Sequence, residues 1–119
     1  MKSITDAELA ILQSLWERQH QTKREIAESL YPATGESEIA TVQKLLDRLE
    51  AKQLVVRDRS ERTHRFSTCV ARDELVGQQL EAVARRFTGN SLGAAVLHLV
   101  EGDALSAEER KRLRELLDE

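Results

Sequence analysis

The chain of 119 residues contains a single cysteine, Cys69. One cysteine excludes an internal disulfide and a cysteine-cluster metal site. No apolar run approaches the roughly 20 residues that span a bilayer, and residues 1–6 lack the apolar segment of a signal peptide. We therefore expect a cytoplasmic protein without direct membrane binding.

Aromatic residues are also scarce, since the sequence has only one Trp, one Tyr and two Phe. Leu, Ala, Glu and Arg are abundant instead, and these residues favour helices. The length suits one domain, or a small domain with an appendage, and allows a modest core. We expect a mainly α protein with a largely aliphatic core.

The sequence also lacks the patterns that accompany catalysis. It has no glycine-rich phosphate loop and no nucleophile constellation. Three scattered histidines, His20, His64 and His98, have no carboxylates or thiols at ligand spacing. We expect no enzyme activity, no metal site and no cofactor, and we expect Cys69 to be a small packed residue.

The formal net charge is −3, which by itself would not favour a nucleic-acid partner. The charges are unevenly distributed, however. Residues 69–119 hold 7 cations and 10 anions, whereas residues 41–65 hold 7 cations and 4 anions. A duplex needs cations only where it lies, so a local basic surface on an acidic chain is compatible with DNA binding.

A repeated capping pattern, Ser or Thr followed three residues later by Glu, predicts helix N-termini at Thr5, Thr22 and Ser106. The helix after Thr22 is predicted over residues 23–30, because the residue before Pro32 is pushed away from helical backbone. The buried face of the first helix is predicted from its apolar residues Leu9, Leu12, Leu15 and Trp16.

A third helix is predicted from near Ser37 to around Lys52. Its apolar residues recur at helical spacing and predict a buried stripe: Ile39, Val42, Leu45, Leu46 and Leu49. The opposite face carries Thr41, Gln43 and Lys44, whose groups can read base edges or hold phosphate. Such a face is usually only solvated, but two helices joined by a turn also outline a helix-turn-helix.

Residues 54–59 and 63–68 are β-branched and partly alternating, which predicts two short strands joined by residues 60–62. This hairpin carries Arg57, Arg59, Arg62 and Arg65, and it has the character of a wing. Arg48 is ambiguous between phosphate and an ion pair with Asp47 or Glu50. The residues predicted to bind double-stranded DNA are Thr41, Gln43, Lys44, Arg48, Arg62 and Arg65.

Residues 71–119 differ in character and predict three helices, over about 72–87, 91–100 and 111–117. Helices of this length enclose too little interior to be stable alone. We expect a winged-helix domain over residues 1–70 and a helical dimerisation domain over residues 71–119; a core within one monomer is the alternative for the second. The predicted dimerisation residues are Leu80, Val83, Phe87, Leu92, Val96, Leu99, Leu113, Leu116 and Leu117.

The sequence resembles the penicillinase-repressor family of BlaI, MecI and CopY type. The resemblance lies in residues 5–9, Leu15 with Trp16, residues 41–49 (TVQKLLDRL) and residues 52–55, and it extends over the wing and tail. It implies a homodimeric transcriptional repressor that reads a palindromic operator through Thr41, Gln43 and Lys44. Well-known members carry Thr-Ile-Arg-Thr at residues 41–44, so an operator of different sequence is expected.

Family members are inactivated by a membrane sensor protease that detects β-lactam and triggers cleavage of an Asn-Phe bond in the tail. The residues that match this Asn-Phe bond here are His98 and Leu99. Cleavage of this chain is therefore expected to differ chemically from cleavage of those members, or to be absent. The copper-responsive branch ends in a cysteine-rich metal motif, whereas no cysteine follows Cys69. The alternative function is a winged-helix module for protein–protein assembly, with the polar face of the third helix unused.

Overall fold

The computed structural model describes residues 3–89 and 91–118. Its elements in chain order are α1 (Asp6–Glu17), α2 (Lys23–Leu30), α3 (Glu36–Ala51), β1 (Val55–Asp58), β2 (Arg65–Thr68), α4 (Arg72–Thr88), α5 (Leu92–Glu101) and α6 (Ala107–Leu117). The chain divides into two compact units, Met1–Val76 and Gly77–Glu119. The functional boundary between residues 70 and 71 stays a prediction.

The three predicted capping boxes are confirmed, at Thr5, Thr22 and Ser106. In each box the cap hydroxyl accepts from a backbone N–H and the Glu carboxylate accepts from the backbone N–H of the cap residue. α6 begins at Ala107, directly after the predicted cap Ser106, so the helix is longer than the predicted residues 111–117. At α3, Glu38 Oε1 accepts from the Gly35 N–H at 3.0 Å, and because Gly35 is neither Ser nor Thr the repeated capping pattern does not predict this contact.

The first unit has its core between α1, α2, α3 and the hairpin. The stripe that α1 buries is Glu8, Ile11, Leu12 and Leu15, whose spacing of three and four residues follows the helical period. Leu9 lies off this stripe and is 36% exposed, so its predicted burial was wrong. The fully buried apolar side chains also include Ile26, Val42, Leu46 and Leu49.

The hairpin is antiparallel, with Arg57 opposite Phe66 in its register. Its strands are shorter than predicted, because the Leu54 N–H bonds to the Leu49 carbonyl at the end of α3 and residues 59–64 form the tip. The second strand of the wing is bridged to Gln21, whose backbone N–H and carbonyl both bond to Phe66 at 3.1 and 2.8 Å. The wing is thereby attached to the segment between α1 and α2.

Side-chain contacts of Lys52 and Trp16 join segments of this unit that are far apart in the sequence. Lys52 Nζ lies 2.7 Å from Glu8 Oε2 and 2.7 Å from the Ser3 carbonyl oxygen, which joins the end of α3 to the start of α1. Trp16 Nε1 donates to the Val70 carbonyl at 2.9 Å. Val70 is buried while Cys69 is exposed, so the predicted packing of Cys69 was wrong: the core position falls on the next residue.

The second unit exposes most of its large apolar side chains. Neither α5 nor α6 contains a buried residue. The exposed large apolar residues of this unit are Leu80, Val83, Phe87, Leu92, Val96, Leu97, Leu99, Leu116 and Leu117, and Leu113 is half-buried. Across residues 3–89 and 91–118, no helix combines the length and the apolar character that crossing a bilayer requires.

Candidate nucleic-acid interface

The two faces of α3 are cleanly divided. Val42, Leu45, Leu46 and Leu49 are buried, whereas Thr41, Lys44, Asp47 and Arg48 are exposed and Gln43 is half-buried. The division follows from the helical period, which places residues 42, 45, 46 and 49 on one side. The residues predicted to read bases therefore lie on the accessible side of the helix.

The side chains on this face differ in how far they are already engaged. Thr41 Oγ1 donates to the Ser37 carbonyl within the helix at 3.0 Å. Gln43 Nε2 donates to Asp47 Oδ1 at 2.8 Å, one turn further along. Lys44 forms no ion pair with any residue that the structure describes. Within the described residues its ammonium group is therefore not engaged in an ion pair.

The basic segment 41–65 separates into paired and unpaired cations. Lys52 pairs with Glu8, Arg59 with Glu50, and Arg65 with Glu25. The fourth paired cation is Arg57. In the described part of the chain, Lys44, Arg48 and Arg62 have no ion-pair partner.

The alternative partners of Arg48 are occupied by the wing. Asp47 and Glu50 pair with Arg57 at 2.8 and 3.6 Å, and Glu50 also pairs with Arg59 at 3.4 Å. The structure therefore pairs neither acid with Arg48, and its exposed guanidinium is available to a phosphate.

Arg57 connects the wing to α3. Its side chain is only 15% exposed, and its guanidinium carbon lies 4.9 Å from the centre of the Phe66 ring, its cross-strand partner. A stacked, ion-paired guanidinium of this kind holds two elements together. Arg57 thus acts inside the first unit, whereas Arg62 at the tip is exposed.

Arg65 is exposed but engaged, at the start of β2 next to the tip of the wing. Its Nη1 lies 3.2 Å from Glu25 Oε1 and 3.1 Å from the His20 carbonyl oxygen. Backbone hydrogen bonding from Thr22 is the main reason that the pKa of Glu25 is lowered, with Arg18 and Arg65 adding to it. Glu25 is therefore ionised at neutral pH, and a phosphate would compete with it for Arg65.

A cleft of about 420 Å³ lies between α2, α3 and the wing. It brings Gln43 together with Arg62, two of the predicted site residues, but does not include Thr41, Lys44, Arg48 or Arg65. The full lining is Lys23, Gln43, Arg57, Arg62, Thr63, His64 and Phe66. Positive charge predominates in this lining, so the cleft suits an anion such as a backbone phosphate.

Lys23 is the member of this cleft that the sequence interpretation missed. It is the first residue of α2 and is exposed. A cation at the positive end of a helix dipole is unfavourable for helix stability, and an N-terminus attracts anions. That mismatch between residue type and helix position is the sequence signal that would have indicated Lys23.

Comparison with known protein families matches residues 4–119 to the family described as Penicillinase repressor. The chain belongs to the penicillinase repressor family. It is 38% identical over 116 residues to the transcriptional regulator BlaI of Mycobacterium tuberculosis, in strains CDC 1551 / Oshkosh and ATCC 25618 / H37Rv. That alignment covers 96% of this chain and 82% of the relative.

Solved structures with similar folds include Streptococcus pneumoniae FabT in complex with DNA, at 22% identity and a TM-score of 0.49, covering 98% of this chain and 73% of that one. Wild-type MarR from E. coli in its apo form gives 21% identity and a TM-score of 0.49, covering 98% and 77%. The three helices followed by a hairpin in the first unit form a winged-helix fold. As a member of the penicillinase repressor family, the protein is a DNA-binding transcriptional repressor and not an enzyme.

Proposed function

We propose that the protein binds a palindromic duplex operator as a homodimer in the cytoplasm. In this proposal Thr41, Gln43 and Lys44 read bases in the major groove. Arg48, Arg62 and Arg65 hold phosphates, with Lys23 added from the cleft. The observation that carries the proposal is the set of cations without a described ion-pair partner, Lys44, Arg48 and Arg62, on the same unit as the accessible Gln43 amide.

The roles on α3 follow from hydrogen-bond chemistry. The Gln43 amide offers a donor and an acceptor, which match the adenine edge, and the Lys44 ammonium suits guanine or phosphate. Each good base contact contributes about 1–3 kcal/mol of discrimination. Because residues 43 and 44 differ from well-known family members, the operator is expected to differ as well.

The exposed apolar surface of the second unit supports the homodimer. On α4, Leu80, Val83 and Phe87 are spaced three and four residues apart, so they share one helix face. Contiguous exposed apolar surface of this kind is typical of protein interfaces. A two-fold symmetric dimer presents two reading helices, and this is the reason for expecting a palindromic operator.

Salt-dependent binding to duplex DNA tests this proposal against the protein–protein alternative. Counterion release makes the logarithm of the association constant fall linearly with the logarithm of salt concentration. We expect Arg62→Ala to reduce that slope by about one unit, because it removes one phosphate contact. Fluorescence anisotropy on a labelled promoter duplex over a range of salt concentrations measures the slope.

Arg112→Ala is the matched control, since Arg112 is an exposed arginine of α6 whose ion pair within the described residues is with Glu115. It changes the net charge equally and should leave the slope unchanged. Equal slopes for wild type and Arg62→Ala would remove Arg62 from the contact set. Absence of salt-dependent duplex binding by the wild type would favour the assembly module instead.

We also propose that repression is relieved by cleavage between His98 and Leu99, through a membrane sensor protease. Both residues are exposed, but they lie inside α5, so the helix must unwind locally before a protease can bind them in extended form. We expect β-lactam treatment of cells to yield fragments ending at His98 and beginning at Leu99. Intact-mass spectrometry of the repressor detects them, and derepression with an undivided chain would contradict the proposal.

A further inference from the structure

Asp47 is an acidic residue on the face of α3 that is proposed to meet DNA. Its side chain is 56% exposed, and a bare carboxylate there would repel phosphates. In the structure the carboxylate instead accepts hydrogen bonds from two side chains. The same oxygen, Oδ1, accepts from Gln43 Nε2 at 2.8 Å and from Arg57 Nη2 at 2.8 Å.

The contact with Asp47 determines which way the Gln43 amide faces. An ionised carboxylate only accepts hydrogen bonds, so the amide must present its nitrogen to Asp47. One N–H is then used, and one N–H and the carbonyl oxygen remain. One donor and one acceptor are what the adenine N7 and N6 groups require, whereas guanine presents two acceptors, N7 and O6.

Arg57 connects Asp47, and with it the orientation of the Gln43 amide, to the wing. It neutralises Asp47, and the Phe66 ring at 4.9 Å holds its guanidinium in place, with Glu50 a more distant partner at 3.6 Å. Phe66 is 1% exposed, so the outer end of this chain of contacts is anchored in the core. Hydrogen bonds to charged partners are stronger than neutral ones, which favours a single arrangement of the amide.

We propose that Asp47 is a positioning residue: it orients the Gln43 side-chain amide so that the amide binds adenine in preference to guanine. Arg57 connects Asp47 to the wing. The inference rests on the proposed base contact of Gln43. It goes beyond that contact in naming a specificity-determining residue that need not touch a base.

The test compares Asp47→Ala, Gln43→Ala and Glu50→Ala on promoter duplexes with each base substituted in turn. We expect Gln43→Ala and Asp47→Ala to lose discrimination at the same base position, Asp47→Ala by roughly tenfold, within the range that one base contact supplies. Glu50→Ala is the control: it removes an equal charge and the more distant carboxylate partner of Arg57, which also pairs with Arg59, but no contact with Gln43. Its base preference should stay unchanged.

The outcomes separate this inference from the proposed function. Loss of discrimination with Gln43→Ala but not with Asp47→Ala overturns the positioning role and leaves the base contact standing. No change with either variant overturns both. Loss of discrimination with Glu50→Ala equal to that with Asp47→Ala also overturns the positioning role, since charge alone would then explain it.

A measurement on the free protein gives an independent readout. The ¹⁵N order parameter of the Gln43 side-chain amide should fall in Asp47→Ala and stay at its wild-type value in Glu50→Ala. An unchanged order parameter in Asp47→Ala would show that other contacts hold the amide, which overturns the inference whatever the DNA results. Far-ultraviolet circular dichroism of both variants establishes that each is folded.

Discussion

Replacing Phe87 by glutamate should convert the protein into a monomer that binds its operator at least about 100-fold more weakly, because linked binding of two half-sites raises avidity by that order. Phe87 is 75% exposed on α4, in line with Leu80 and Val83. A carboxylate in the centre of an apolar interface would be desolvated without a partner. Sedimentation velocity at micromolar concentration and anisotropy on a palindromic duplex measure the two effects.

Leu9→Gln provides the control for this experiment, since Leu9 is an exposed apolar residue of the first unit. It should alter neither the sedimentation coefficient nor the affinity. If wild type sediments as a monomer at micromolar concentration, the dimer and the palindromic operator both lose their support. A dimeric Phe87→Glu protein would place the interface elsewhere in the chain.

Lys52→Ala should lower the free energy of unfolding by about 3 kcal/mol near neutral pH, the cost of leaving a buried carboxylate unpaired. Glu8 is 1% exposed, and Lys52 Nζ is its charged partner at 2.7 Å. Glu8→Gln should cost less, about 1 kcal/mol, because glutamine retains the capping box and the 20% exposed Lys52 can turn to water. Urea unfolding followed by circular dichroism measures both values.

The same pair gives stability a predictable pH dependence. Burial alone would raise the pKa of Glu8, but hydrogen bonds from Lys52 and Thr5 and the charge of Lys52 outweigh burial and lower it below its ordinary 4.5. The folded chain therefore binds this proton less readily than the unfolded chain. The stabilisation is fully present above pH 4.5 and is lost as pH falls through the lower folded pKa.

The difference between wild type and Lys52→Ala should accordingly shrink in acid, where Glu8 of the variant is protonated and its buried charge disappears. Lys44→Ala is the control, because this lysine of α3 has no ion pair in the described chain and should change stability by less than about 0.5 kcal/mol. A pH-independent effect of Lys52→Ala would indicate that the loss comes from packing of the lysine stem.

Local chemistry explains why so much of the fold is predictable. The helix after Thr22 is found at its predicted bounds, since both its cap and its stop are encoded within a few residues. The exposed Leu9 shows that an apolar residue in a helix need not lie on its buried face. Ile11, two residues further on and not predicted, belongs to the buried stripe instead. Strand ends were placed too far out because hydrogen bonding by Leu54 depends on where α3 stops.

The sequence predicts which residues lie on the exposed face of α3, but it does not predict which side chains they and the wing arginines pair with. Thr41, Gln43 and Lys44 follow from the helical period alone. The engagement of Arg57 depends on Asp47, Glu50 and Phe66, which the fold brings together from α3 and the opposite strand. Sequence spacing does not encode such tertiary contacts, so free and paired arginines of the wing looked alike.

The bridge between Gln21 and Phe66 has an entropic consequence for DNA binding. Together with the strand pairing it fixes both strands of the wing before any duplex arrives, and it leaves residues 59–64 outside the strands. Ordering the backbone of one residue costs about 1–2 kcal/mol at room temperature. With that loss confined to a short tip, more of the energy of the proposed phosphate contact of Arg62 would remain as affinity.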